Sequence, residues 1–164
     1  ATEEGVYHES LNFSALHQLP VLFLCENNGL AVHSRITARQ SYDLLEHADS
    51  YGIPTRLCAK GNDPRAVYDV VAAAAARVRA ESRPMLLVVD TYRQMEHVGV
   101  GDDHHVGYRS ATEADPWRRT DPLVSETALV ARFTPEILRE IDDAVAFAEE
   151  SPWPGAEALL ADVA

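Results

Sequence analysis

The sequence predicts an α/β fold, a mostly parallel sheet with helices on both faces, followed by C-terminal helices. Three observations predict it. Runs 21–25 and 85–89 are continuously apolar and of strand length, with no polar alternation, as in strands covered on both faces. Helical and strand patterns alternate from residue 2 to residue 90, which implies parallel pairing through right-handed crossovers. The 164 residues are 46% apolar, enough for one domain with a real core.

Taken in order, Thr2 can cap a first helix whose opening turn carries Glu3 and Glu4, as the helix dipole favours. Leu11, Ala15, Leu16 and Leu19 form its apolar face, and Pro20 stops it. Strand 21–25 follows, reading as a central strand, and then a polar loop through Thr37. Ser41 or Asp43 can open a second helix ending near Tyr51-Gly52, and Pro54 leads into strand 55–59. Gly61-Asn62-Asp63-Pro64 reads as a turn capping a long helix, with Pro64 at its first position. Val67, Val70, Val71, Ala74, Ala75 and Val78 give that helix a packing face, and the alanine run 73–76 reads as tight packing on the sheet. Pro84 introduces a second buried strand, 85–90.

Residues 94–110 hold three His, three Gly and two Asp without a period, which describes a functional or mobile loop. Short helices are expected at 112–119 and 122–131. Thr134-Pro135-Glu136 should cap a longer one reaching about Glu150, and Ser151-Pro152-Trp153-Pro154-Gly155 should break it ahead of a short tail. The expected division is 1–110 for the α/β part and 111–164 for a helical extension packed on it.

Fourteen Lys and Arg against 26 Asp and Glu give a formal charge of −12, which argues against a nucleic-acid surface. Cys25 and Cys58 show no pairing pattern, so reduced thiols in a cytoplasmic protein are expected. No apolar run approaches a membrane span, and no signal peptide is expected.

Residues 20–28, Pro-Val-Leu-Phe-Leu-Cys-Glu-Asn-Asn, carry the most chemistry. In open α/β sheets ligands sit just beyond the carboxyl ends of the strands, where Glu26, Asn27 and Asn28 stand. Neutral amide oxygens there suit a hard cation. On its own the nonapeptide also fits a strand that simply ends in a turn.

Read from its start, the chain resembles the alpha subunit of the thiamine diphosphate-dependent 2-oxo acid dehydrogenases, the decarboxylating component of the pyruvate and branched-chain complexes. The matching pieces are Ala1-Thr2-Glu3-Glu4-Gly5, His8-Glu9-Ser10-Leu11-Asn12-Phe13, Leu19-Pro20, Asn27-Asn28 and Tyr51-Gly52-Ile53-Pro54. Gly61-Asn62-Asp63, Thr91-Tyr92-Arg93, Tyr108-Arg109, Trp117-Arg118 and Asp121-Pro122 follow in the family's order and spacing. The family's metal motif is Gly-Asp-Gly, then a helix and a strand, then Asn-Asn. Gly-Asp-Gly is absent here, and family subunits are about twice this length. The resemblance therefore implies the C-terminal half of a longer chain or one piece of a split protein.

It implies a thiamine diphosphate-binding fold with thiamine diphosphate and Mg2+ as cofactors. The Asn28 side-chain oxygen and the Leu30 main-chain carbonyl would be metal ligands, with the missing aspartate as a third. Asn27 would anchor the loop. Ala1 and Thr2 would start the helix whose free N–H groups face the diphosphate. His97 would lie over cofactor and substrate as a hydrogen-bond donor or proton shuttle, although a lone loop histidine also reads as a surface residue. Tyr108-Arg109 would order the loop, whose neighbours His104 and His105 read as solvated. His8, His17, His33 and His47 read as ordinary helix or loop residues. Gln94-Met95-Glu96 and Val98 depart from the common pattern, and Val98 excludes phosphorylation where mitochondrial relatives carry a serine.

The implied partners are the N-terminal half of the same subunit, linked or split, and the beta subunit of an alpha2-beta2 heterotetramer. A lipoyl acyltransferase or another acceptor would take the acyl group; neither nucleic acid nor membrane is expected. Two other functions fit the same residues: an acetoin-cleaving or biosynthetic acyl-transferring relative, and a non-catalytic assembly subunit of a split thiamine enzyme.

Overall fold

The computed structural model describes residues 1–161, so the end of the expected tail, residues 162–164, lies outside the described part. By compactness the chain forms two units, Ala1–Ser125 and Glu126–Ala164. In the first, a three-stranded parallel sheet has the order β1 (Leu22–Asn27), β5 (Met85–Asp90), β4 (Thr55–Cys58). A two-residue antiparallel pair, β2 (Leu30–Ala31) and β3 (Ser34–Arg35), follows β1. Helices lie on both faces, as expected. On one face α3 (Pro64–Glu81) packs Val70, Ala74 and Val78 against Cys58, Leu87 and Val89. On the other, Leu11 of α1 (Gly5–Leu16) and Leu44 and Ala48 of α2 (Leu44–Asp49) pack with Ile53, Leu86 and Val88. Alternate residues of β5 thus feed two cores, which is why its run is unbroken. Each such valine or leucine stabilises by about 1.5–3 kcal/mol.

Several boundaries follow from local chemistry. Asp43 caps α2 by accepting from Leu45 N–H and Glu46 N–H, and Asp63 caps α3 by accepting from Arg65 N–H and Ala66 N–H with Pro64 behind it. Gly61 packs against the end of β5, where a Cβ would stand 1.9 Å from the Asp90 carbonyl oxygen; only glycine fits. The alanine run is not uniformly packed: Ala74 is buried, while Ala73 and Ala76 face outward, because one helix face alone meets the sheet.

Other expectations are corrected. β1 is an edge strand, not a central one, and Leu24 is half exposed. Its apolar run supplies two buryable faces, but among the described residues only β5 pairs with it. α1 begins at Gly5, so Thr2 does not cap it and Glu3 and Glu4 precede its first turn. Ala1–Glu4 instead form their own turn, with Glu4 N–H donating to Ala1 C=O at 3.1 Å. α4 (Asp115–Arg119) and α5 (Pro122–Ser125) are short. Glu113 bonded to Arg35, and Asn62 bonded to Trp117 and Thr120, tie this stretch to the sheet unit. The second unit is α6 (Thr127–Glu150), which runs straight through Pro135, and a 3-10 turn at Ala156–Leu160.

Candidate functional site

The carboxyl ends of β1 and β5 lie side by side, with Asn27 paired to Asp90 and the Thr91 N–H donating to the Asn27 carbonyl at 2.9 Å. Beyond them opens a cavity of about 280 Å3, lined among others by Asn27, Asp90, Gln40 and Tyr42. The adjacent amides make consecutive turns. Asn27 Oδ1 accepts from Gly29 N–H at 3.0 Å, and Asn28 Oδ1 accepts from Leu30 N–H at 2.9 Å. Gly29 takes φ +71°, and its carbonyl accepts from Ile36 N–H at 2.8 Å. Asn27 therefore anchors the loop at both its backbone and its side chain. Asn28 Oδ1 keeps a second lone pair, so it can still bind a cation. Leu30 opens the β2–β3 hairpin, whose tight turn puts Val32 at φ 53°, a costly conformation for a branched side chain.

Of the predicted site residues, two are joined directly. Asn28 and Leu30 share a hydrogen bond. Ala1 and Thr2 sit in the turn ahead of α1, not at its first residues, and Thr2 joins the loop after β3 through Gln40. His97 stands exposed on the 91–109 loop. Magnesium takes six oxygens in near-octahedral geometry. This chain offers the Asn28 amide oxygen and the Leu30 carbonyl, and the described residues contain no group of three or more His, Cys, Asp or Glu placed to hold a metal. The donor chemistry fits magnesium, but only as part of a shell.

The loop is stapled at its base. Asp103, buried, accepts from Arg109 Nε at 2.7 Å, from Arg93 at 3.1 Å and from the Tyr108 hydroxyl. Arg109, buried as well, donates to the carbonyls of Arg93 and of Met95, the latter at 3.1 Å, and stacks near Tyr92 and Tyr108. The expectation of a uniformly solvated His-Asp loop is thus corrected. Asp103 is an internal counter-ion, and both ring nitrogens of His104 are shielded without a partner. Arg35 extends the staple to the hairpin, donating to the Tyr108 carbonyl at 3.1 Å and to both oxygens of Glu113 at 2.7 and 2.9 Å.

Sequence reasoning missed His8 and His47. They were read as unsupported, yet His8 Nδ1 lies 3.1 Å from His47 Nε2 amid Tyr7, Tyr42 and Tyr51. The two lie 39 residues apart on different helices, so no spacing rule could pair them.

An α/β sheet with an amide-rich loop beyond the ends of its parallel strands defines a ligand-binding α/β protein. A family model described as Dehydrogenase E1 component matches residues 1–157, and the chain belongs to that family. It is 31% identical over 172 residues to the 2-oxoisovalerate dehydrogenase subunit alpha of Bacillus subtilis, covering 98% of this chain and 51% of that protein. It is 39% identical over 124 residues to the 3-methyl-2-oxobutanoate dehydrogenase subunit alpha of Mycobacterium tuberculosis, covering 75% and 33%. It is 32% identical to the pyruvate dehydrogenase E1 component subunit alpha of Rickettsia bellii, covering 99% and 52%. The resemblance read from the motifs is borne out, and the chain spans about half the length of the curated relatives it matches.

Proposed function

We propose that this chain is part of the cofactor-binding alpha subunit of a thiamine diphosphate-dependent 2-oxo acid dehydrogenase that decarboxylates a 2-oxo acid and passes the acyl group to a lipoyl acceptor. The observation that carries the reading is Asn27-Asn28 at the carboxyl end of parallel strand β1, inside a chain that matches the family from residue 1 to 157. Thiamine diphosphate, when bound, supplies the electron sink for loss of CO2. The chain's own residues bind and orient. Asn28 Oδ1 and the Leu30 carbonyl hold magnesium, Asn27 fixes their loop, and the turn at Ala1 and Thr2 faces the diphosphate. His97 donates a hydrogen bond or carries a proton over the substrate, reaching it as its loop tip closes. The aspartate that completes the metal shell comes from the N-terminal half of the subunit, and the rest of the cleft from a beta subunit of an alpha2-beta2 heterotetramer. A lipoyl acyltransferase collects the product in the cytoplasm.

Asn28→Ala in the assembled enzyme tests this. Losing even an outer-shell partner of a metal site typically costs about 10- to 100-fold in metal affinity, so without a direct ligand the magnesium-dependent thiamine diphosphate affinity should fall at least about 10- to 100-fold with the far-UV circular dichroism unchanged. Unaltered affinity would remove Asn28 from the site.

A further inference from the structure

Residues 36–42 join the two halves of the candidate site. At one end the Ile36 N–H holds the Gly29 carbonyl beside Asn28. At the other, three side chains converge on the N-terminal turn. The Tyr42 hydroxyl donates to the Thr2 carbonyl at 2.5 Å, Gln40 Oε1 accepts from the Thr2 hydroxyl at 2.8 Å, and Arg39 pairs with Glu3 at 2.5 Å. Gln40 Nε2 also donates to the Tyr42 carbonyl at 2.9 Å, stiffening the strap.

Tyr42 is backed in turn by the two histidines. His8 Nε2 lies 3.4 Å from its hydroxyl, and His47 packs against its ring with centroids 4.5 Å apart. The hydroxyl has one proton, which the Thr2 carbonyl takes, so His8 Nε2 must carry a hydrogen to complete the contact. His8 Nδ1 is then bare and accepts from His47 Nε2–H across 3.1 Å. That leaves His47 Nδ1 without a hydrogen, and this is the nitrogen that is shielded with no partner. One assignment, with both rings neutral, accounts for both contacts and leaves only His47 Nδ1 of this hydrogen-bonded set unpartnered among the described residues. Burial, and secondarily the neighbouring His8, keep the His47 pKa below its ordinary value.

We propose that Tyr42, held by the neutral His8–His47 pair, is a positioning residue that fixes the Thr2 turn for the cofactor's diphosphate. The proposal rests on the reading of Ala1 and Thr2 given under Proposed function. A proton taken up by the pair must break a link. On His8 Nδ1 it opposes His47 Nε2–H, and on His47 Nδ1 it places a charge among Tyr7, His8, Tyr42 and Tyr51, the titratable rings in contact with it.

The test compares the wild-type assembled enzyme with Tyr42→Phe, which keeps the ring and removes only the hydroxyl. Thiamine diphosphate affinity is titrated at saturating magnesium across pH, and the thermal midpoint is measured without cofactor. The expected result is affinity about three- to tenfold weaker at neutral pH, as one hydrogen bond predicts, with an unchanged midpoint. Wild-type affinity should also fall as the histidine pair takes up a proton, and the variant should have a flatter profile. Equal affinity and equal pH profiles in the two proteins would overturn the positioning role while leaving the function intact. A midpoint that falls together with affinity would make Tyr42 a structural residue and also overturn it. A wild-type enzyme that does not bind thiamine diphosphate would overturn the functional reading and this proposal with it.

Discussion

Asp103 shows how one carboxylate can hold a loop that buries none of its apolar side chains. Burial pushes its pKa up, but hydrogen bonds from Tyr108 and Arg109 and the charges of Arg109 and Arg93 outweigh that and hold it at about 2. Its folded value lies below the ordinary 3.8, so its contribution to stability is complete above that value and is lost as pH falls from about 4 toward about 2. Asp103→Asn preserves shape and removes the charge, leaving Arg109 buried without its counter-ion. The variant should therefore melt below wild type at neutral pH, and the gap in thermal midpoint should close as pH drops through that window. A constant gap from pH 7 down to 3 would show that charge is not what Asp103 contributes. None of this pairing is written in the spacing of Asp102-Asp103-His104-His105, which reads as a polar loop. Only Tyr108-Arg109, through the family resemblance, marked the segment as something that gets ordered.

Elements were legible where local rules decide them. The strand at 85–90 and the helix from Pro64 follow from an unbroken apolar run and from an Asp-Pro cap, both properties of adjacent residues. What failed depended on distant partners or on competing local signals. Run 21–25 looks central, but centrality is a matter of neighbours, and β1 has one among the described residues. Thr134-Pro135-Glu136 looks like a cap, yet α6 continues through it: the stripe Val130, Phe133, Ile137, Ile141 and Ala144 keeps one face across the proline, and the Thr134 hydroxyl bonds back to the Val130 carbonyl at 2.7 Å. The 91–109 loop combines both cases. Its base is stapled by Asp103, while Val98 and Val100 at its tip are 82% and 92% exposed. Without cofactor, amide hydrogen exchange at residues 97–100 should be fast while the Arg109 region is protected, and binding of thiamine diphosphate should slow the tip as His97 engages. Slow exchange across the whole loop in both states would remove the tip from any closing motion.

For the chain as a whole, what matters is how much of a cofactor site it contains. The cation donors proposed for it are one amide and one carbonyl, both neutral, and magnesium surrenders its hydration shell reluctantly and usually needs a carboxylate. Among the described residues β1 pairs only with β5, and unpaired edges invite another strand. Leu11 of α1 is fully buried in the core, but Val6, Phe13 and Leu16 on the same helix are 57–72% exposed. In the second unit no residue of α6 is buried, and Phe133, Ile137, Leu138, Ile141, Val145 and Phe147 all reach solvent. Surfaces of that kind are covered by partners. Residues 1–164 alone should therefore bind thiamine diphosphate and magnesium weakly and decarboxylate no 2-oxo acid. Adding the N-terminal half and a beta subunit should restore tight binding and turnover together, with a matching rise in mass by light scattering. Robust 2-oxo acid decarboxylation by the purified 164-residue chain would mean that the donors identified here are not the site.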